Sequence, residues 1–375
     1  MKIAHVITGL NDGGAEAVLY RLCTNDPLNS HMVISLMDEG KYGPLLRAAG
    51  IPLVCINLQQ GKITIQGLIK LWRILRAAKA DTVQTWMYHS DLVGGVAARF
   101  AGIKNVCWGI HHSNLAPGTI KDSTRKIAKI CAKLSHVIPN KIISCSRAAA
   151  AIHEQLGYSA TKFRIVPNGY DISMYIKDEF SRGKVRCELE IGPETVLMGM
   201  VARFDPQKDH HNLLEALSLL LKDSPDVDLK VALVGSGMDC ENLQLKKLIN
   251  DYDLQDKILL LGQRRDIPSV MNALDLHVLS SLGEAFPNVL SEAMACGTPC
   301  VTTDVGDAAL IVGNTGWVVA PRDSAKLACA LREAVSAISD TSTWAKRQLA
   351  SREHIVSNFC LEKMVKSYNE VWTEY

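Results

Sequence analysis

Short apolar blocks recur along the chain, each broken by glycine or polar residues and followed by a stretch with helical spacing. Residues 2–7, 31–37, 53–56, 82–86, 105–110 and 141–145 read as strands, and about 15–23 and 42–49 as helices. Over 65–78 the apolar residues Ile65, Leu68, Ile69, Leu71, Trp72 and Leu75 fall on one helical period. After a polar stretch at 172–194, expected to be a linker, the pattern restarts. Strands are expected at 196–201, 229–234, 258–261, 276–279 and 300–302, with helices at 211–221, 243–251 and 288–296. Strict alternation of this kind predicts an α/β protein with two Rossmann-like, doubly wound parallel sheets. Ligands of such sheets bind at the carboxyl ends of the strands, which predicts a site in a cleft that the two domains face.

Composition changes this picture little. The 375 residues suit two domains, and 47% hydrophobic with 21% charged residues is globular composition. No apolar run reaches the roughly 20 residues that span a bilayer, and the start of the chain is too short in apolar residues for a signal peptide. The expectation is a cytoplasmic protein whose eleven cysteines are reduced thiols. Cys296 and Cys300 lack a matching ligand pair, so no metal site is expected there.

Charge adds one feature. Residues 1–170 hold 20 Lys or Arg against 9 Asp or Glu, whereas 171–375 hold 21 against 30. The first half therefore suits an anionic surface.

The segment from Ser280 to Pro299 carries the most chemistry. It leaves a strand, passes Glu284 and enters a helix at Pro287, with Glu292 inside and Gly297 as the stop. Amides at Asn288, Val289 and Leu290 are expected to lack helical partners and to suit a phosphate or sugar oxygen. Two carboxylates so placed can accept hydrogen bonds from a polyol.

Glu284 and Glu292, followed by Ala-Met-Ala-Cys-Gly-Thr-Pro, resemble the paired-glutamate signature of glycosyltransferase family 4, retaining enzymes of GT-B fold. The resemblance assigns the donor sugar to Glu284 and to the amides of Phe286, Asn288 and Val289, and the ribose to Glu292. Arg203 and Lys208, within Val201–Asp209, resemble the family's cationic pair on the donor diphosphate. The physics agrees: charge grows on a departing diphosphate, and fixed cations stabilise that transition state more than the ground state. The loop Gly9–Glu16 with Gly13 and Gly14 resembles the family's amino-terminal glycine loop. Gly235 in Val234–Gly237, and Gln263 and Arg264 after Gly262, resemble segments that shape the nucleotide pocket. His111 and His112, before Ser113 and Asn114, resemble the position of a histidine that touches the donor sugar; His112 aligns better, but which one acts stays open. Residues 166–171 resemble the inter-domain turn.

Two departures stand out. Relatives often carry a glutamate where this chain has Ala309, which puts one pocket contact in doubt. Asp251-Tyr252-Asp253 has the form of a metal-binding Asp-x-Asp but sits at a helix end, so metal-independent chemistry without a cofactor is expected, with the nucleotide sugar as substrate.

The resemblance divides the chain into an acceptor domain at 1–170, joined by a final helix at about 356–375, and a donor domain at 171–355. Lys121, Arg125, Lys126, Lys129, Lys133, Lys141 and Arg147 form the densest basic run. Ile127, Ile130, Cys131 and Leu134 give it an apolar face, which suits either a helix lying on an anionic membrane or an ordinary surface helix packed on the sheet. The run lacks interleaved aromatics, so no nucleic acid is expected. The function implied is retaining transfer of a hexosyl or N-acetylhexosaminyl group from a nucleotide-diphosphate sugar, the commonest being a UDP-sugar. The acceptor implied is an oligosaccharide or lipid-diphosphate-linked glycan of O-antigen or capsule synthesis, reached from the inner face of the membrane. The alternatives are a nucleotide-sugar epimerase or hydrolase of the same fold and a non-catalytic nucleotide-sugar-binding protein.

Overall fold

Every strand pairing among the described residues is parallel, because helices carry the chain back across the sheet between strands. The computed structural model describes residues 1–11, 13–59, 64–113, 115 and 120–374. They divide into two compact units, Met1–Gly169 with Leu361–Tyr375, and Tyr170–Cys360.

The first unit runs β1 (Lys2–Ile7), α1 (Gly14–Asn25), β2 (Ser30–Ser35), α2 (Tyr42–Ala48), β3 (Leu53–Cys55), α3 (Ile65–Ala78) and β4 (Thr82–Trp86). It continues with α4 (Tyr88–Phe100), β5 (Asn105–Ile110), α5 (Asp122–Leu134), β6 (Lys141–Ser144), α6 (Arg147–Gln155) and β7 (Phe163–Ile165). The strand order is β3-β2-β1-β4-β5-β6-β7. The chain works outward from β1 on one side and from β4 on the other, so the topological switch lies between them. β4 and β5 are buried along their whole length, the burial that a sheet covered on both faces imposes.

The second unit runs α7 (Glu179–Glu188), β8 (Val196–Val201), α8 (His210–Asp223), β9 (Leu229–Val234), α9 (Leu243–Asp251), β10 (Ile258–Gly262) and α10 (Ile267–Ala273). Then follow β11 (Leu276–Leu279), α11 (Asn288–Ala295), β12 (Cys300–Thr303), α12 (Ala308–Val312), β13 (Trp317–Val319), α13 (Ser324–Ser339) and α14 (Thr341–Phe359). Its sheet has the order β10-β9-β8-β11-β12-β13, with the switch between β8 and β11. β8 pairs with β9 over six residues but with β11 over only two. The strands part above Gly199, and the buried His277 ring occupies the opening, its Nε2 accepting the Val201 N–H at 3.4 Å.

Two boundaries differ from expectation. The polar stretch 172–194 is not a bare linker, because it contains α7. Its arginines point inward: Arg182 and Arg186 reach the Asp275 carboxylate at 2.5 and 3.1 Å, and Arg186 also donates to the carbonyls of Gly192 and Thr195. A buried charge is tolerated when paired and hydrogen-bonded in this way, so low hydrophobicity here marks an internal ion cluster. The returning helix expected from about residue 356 begins at Leu361, since α14 holds the chain in the second unit through Phe359. This last helix, α15 (Leu361–Thr373), adds Met364, Tyr368, Val371 and Trp372 to the first unit's core. Trp372 donates its indole N–H to Gln84 Oε1 at 3.2 Å, and its carbonyl accepts from Asn105 at 2.8 Å.

Candidate active site

The loops that follow β8 and β11 meet across the switch point of the second unit. After β8, Asp205 shapes a short turn, Pro206–Lys208. One of its carboxylate oxygens accepts the Gln207 N–H at 2.9 Å and the other accepts Arg203 Nε at 3.0 Å. Partial burial works to raise the Asp205 carboxyl, but the Gln207 amide and the Arg203 guanidinium, with Lys208 beyond, hold it below the usual range. Pro206 suits the first position of such a turn because its missing N–H has no partner to lose.

After β11, Ser280 shares its hydroxyl proton between the carbonyls of Lys208 and Asp209 at 2.9 and 3.0 Å. The Leu282 N–H donates to Gln207 O at 2.7 Å, and the Gln207 side-chain amide donates to Gly283 O. Between these backbone stitches Lys208 Nζ lies 2.5 Å from Glu284 Oε1, which also accepts the Ser281 hydroxyl at 2.7 Å. Arg203 and Lys208 thus belong to one turn with Asp205 between them. Arg203 is 63% exposed, whereas Lys208 is 17% exposed and set against the carboxylate.

Glycines make this crowding possible. Gly306 has φ +58°, and a Cβ there would stand 2.3 Å from the Glu284 carbonyl oxygen and 2.6 Å from that of Ala285. The next residue, Asp307, donates its N–H to Ala285 O at 3.1 Å. Gly235, at φ +140°, would put a Cβ 2.1 Å from Ala202 O; Phe204 N–H then reaches Ser236 O at 2.8 Å. Only glycine fits either place.

Four residues beyond Glu284, α11 starts at Asn288 with Pro287 as its cap. The expected set of open amides is reduced by one, because Leu290 N–H turns back to Pro287 O at 3.2 Å. The amides of Phe286 and Val289 meet no backbone acceptor among the described residues. Asn288 Oδ1 accepts the Tyr170 hydroxyl. Glu292 sits half-buried one turn inside the helix, and Gly297, at φ +82°, ends it as expected.

Arg264, expected to shape the nucleotide pocket, is held between two carboxylates. Its guanidinium is committed to Asp266 (2.8 and 2.6 Å) and to both carboxylate oxygens of Glu188, with Nη2 3.1 Å from Oε2. It is an ion-pair clamp holding the loop after β10 to α7, and Gln263 beside it is exposed. Asp251 pairs with Lys247 one turn earlier at 2.6 Å.

In the first unit Gly13 caps α1 and Gly14 is its first residue, at the carboxyl end of β1; Asp12 and Asn114 lie outside the described residues. His111 and His112 follow β5. The His111 ring stacks on Trp86, centroids 5.1 Å apart at 21°. Burial lowers its pKa to about 4, and its Nε2 is closed off without a hydrogen-bond partner among the described residues. His112 lies near enough to His153 to oppose its protonation. The two adjacent histidines therefore differ, with His111 fixed on the indole.

His5, Cys23 and His31 form the one grouping among the described residues with metal-ligating atoms close together, within 4.8 Å. The hydrogen bonds of the two imidazoles leave neither ring a lone pair for a cation. Trp86 Nε1–H can only donate, so His5 Nδ1 accepts (3.1 Å) and His5 Nε2–H donates to His31 Nδ1 (2.9 Å). His31 Nε2–H then donates to Asp26 (3.2 Å). The result is a proton-ordered chain that pins Trp86 from behind.

In the basic run, Ala128, Cys131 and Ala132 of α5 are buried while Ile130 is exposed, and Lys141 is bound to Glu374 at 3.1 Å. Among the described residues no helix is long and apolar enough to cross a membrane.

Sequence reasoning missed Asp205, Gln207, Ser281 and His277. Asp-Pro at a turn start was the visible signal for the first; the others act through contacts between loops far apart in the chain.

The profile described as "Glycosyltransferase Family 4" matches residues 12–174, and that described as "Glycosyl transferases group 1" matches 195–337. The chain belongs to glycosyltransferase family 4. It is an enzyme that transfers a glycosyl group from a nucleotide sugar, and its two domains have the GT-B fold. Among family members, it is 27% identical over 334 residues to the Escherichia coli UDP-Gal:alpha-D-GlcNAc-diphosphoundecaprenol alpha-1,3-galactosyltransferase, covering 84% of this chain and 82% of that one. It is 28% identical to glycogen synthase of Mycobacterium tuberculosis, covering 99% and 89%. The crystal structure of Anabaena Alr3699/HepE in complex with UDP superposes with a TM-score of 0.87 at 24% identity, over 100% of both chains. The same Anabaena protein is also known in complex with UDP-glucose.

Proposed function

We propose that this family member moves a hexosyl or N-acetylhexosaminyl group, with retention and without a metal, from a UDP-sugar to a lipid-diphosphate-linked glycan acceptor. The observation that carries the reading is the Lys208–Glu284 pair at the switch point of the second unit, directly before the start of α11. A diphosphate arriving at Lys208 competes with Glu284 for the ammonium. Glu284, so released, accepts hydroxyls of the donor sugar, and the amides of Phe286 and Val289 supply donors beside it. As the glycosidic bond breaks, negative charge grows on the diphosphate, and Lys208 with Arg203 stabilises it more than the intact donor. The acceptor hydroxyl approaches the face the diphosphate leaves, and a phosphate oxygen takes its proton, so no protein nucleophile is needed. Glu292 binds the ribose, and His112, beside the fixed His111, touches the sugar.

A UDP donor is supported by the Anabaena complexes, and a lipid-diphosphate acceptor by the E. coli relative's name. This reading puts the enzyme on the inner face of the membrane in surface-polysaccharide synthesis, O-antigen or capsule. The test combines a panel of nucleotide sugars, ranked by thermal shift, with a GlcNAc-diphospholipid acceptor. UDP release that requires the acceptor, with an α-linked product by NMR, supports the reading. Sugar conversion or UDP release at full rate with donor alone overturns it in favour of an epimerase or hydrolase.

A further inference from the structure

We propose that the outward face of α3, continued by Phe100 at the end of α4, is a docking surface for an anionic lipid bilayer. This rests on the reading that the acceptor is lipid-linked, and it places the contact on α3 rather than on α5, where Ala128, Cys131 and Ala132 pack inward and Ile130 is the exposed bulky apolar residue.

α3 fulfils its packing role with Gly67, Leu71 and Leu75, which are buried. Ile65 and Ile69 lie on the other side, 76% and 44% exposed, and serve no core. Arg73 and Arg76 share that exposed side, whereas Lys70 turns its ammonium back to the carbonyls of Cys55 and Ile56 at 3.3 and 3.4 Å. The helix contains no Asp or Glu, and among the described residues no carboxylate pairs with these cations. The surface continues past the helix, because Trp72 donates its indole N–H to Phe100 O at 3.2 Å. Phe100 is itself 80% exposed. Arg76 lies over the Trp72 ring at 5.4 Å, so cation and indole stand together.

An aqueous surface gains nothing from isoleucines at these positions, and a helix meant only for solubility carries both signs of charge. Bulky apolar side chains interleaved with unpaired cations match the boundary of an anionic bilayer, where the former enter the acyl region and the latter meet phosphates. Each cation at such a surface strengthens binding about fivefold.

The test is co-sedimentation of the full chain with phosphatidylcholine vesicles, with and without phosphatidylglycerol. Wild type should bind only the anionic vesicles, and added salt should weaken it. Arg73→Glu with Arg76→Glu should lower partitioning about twenty-five-fold or more. Ile65→Ser with Ile69→Ser should also lose binding, and both should unfold at the wild-type temperature because the changed side chains are exposed. Lys126→Glu with Lys129→Glu on α5 should bind like wild type. Equal binding to both vesicles, no binding to either, unchanged binding of the α3 variants, or an equal loss in the α5 variant overturns the proposal. Transfer to a short, water-soluble acceptor, measured in parallel, should be the same in wild type and α3 variants. Its absence in wild type would speak against the proposed function alone and leave the vesicle result standing.

Discussion

Lys208 Nζ lies 2.5 Å from Glu284 Oε1, although the two residues are 76 positions apart and follow different strands. The pair is mostly buried, so neither charge is cheaply replaced. Removing one partner leaves the other desolvated and uncompensated, which is why each belongs to both the stability and the chemistry of the site.

Asp205 holds the turn between Arg203 and Lys208 with both carboxylate oxygens. Asp205→Ala should lower stability by about 0.5–2 kcal/mol, the usual cost of a lost cap, and reduce kcat as Arg203 loses its anchor. Urea unfolding and steady-state rates check this. A variant with wild-type values for both would show that the turn organises itself.

Two glycines in the second unit separate strain from steric exclusion. At Gly297 an added Cβ meets nothing nearer than 3.7 Å, whereas at Gly306 it meets Glu284 O at 2.3 Å, and both have positive φ. Gly297→Ala should cost about 1 kcal/mol from backbone strain alone. Gly306→Ala should cost more and displace Glu284, lowering kcat. Equal effects in thermal melts and rates would contradict the assigned crowding.

Acid should destabilise the protein through its buried histidines. Burial lowers His111 and His153 to about 4; burial, aided by Lys208, lowers His210 to about 4 and His277 to about 3. Above pH 6.5 these rings are neutral whether folded or unfolded. As pH falls toward 4 the unfolded chain takes up protons that the folded chain refuses, and stability drops. The slope is at most about 1.4 kcal/mol per pH unit for each ring. Urea midpoints at pH 7, 6 and 5 should fall in that order, and less steeply in His111→Phe, which keeps the stack on Trp86.

The Arg264 clamp leads to a divided expectation. Arg264→Ala should lower the unfolding temperature, since Asp266 and Glu188 lose their common partner, while KM for the donor stays near wild type. A large rise in KM with unchanged stability would show instead that Arg264 acts on the donor.

Much of this architecture was legible in the chain. Strands such as Asn105–Ile110, buried along their whole length, announce themselves as apolar runs, and the long motif around Glu284 and Glu292 marks the start of α11. What stayed hidden depends on side chains meeting across distant loops. α7 reads as polar because Arg182 and Arg186 spend their charge on Asp275, 93 and 89 positions away. His277 reads as one odd residue in a strand because the opening it fills appears only where β8 and β11 part. The surroundings of α5 stayed open because spacing shows that a helix has an apolar side, not that Ala128, Cys131 and Ala132 pack inward while Ile130 faces out.

The most direct test of diphosphate stabilisation is Lys208→Ala, assayed for acceptor-dependent UDP release and, by calorimetry, for UDP binding. The expected result is a fall in kcat of about 10²–10³, with UDP still bound. Turnover at the wild-type rate would contradict the role given to Lys208 and, with it, the reading of the site.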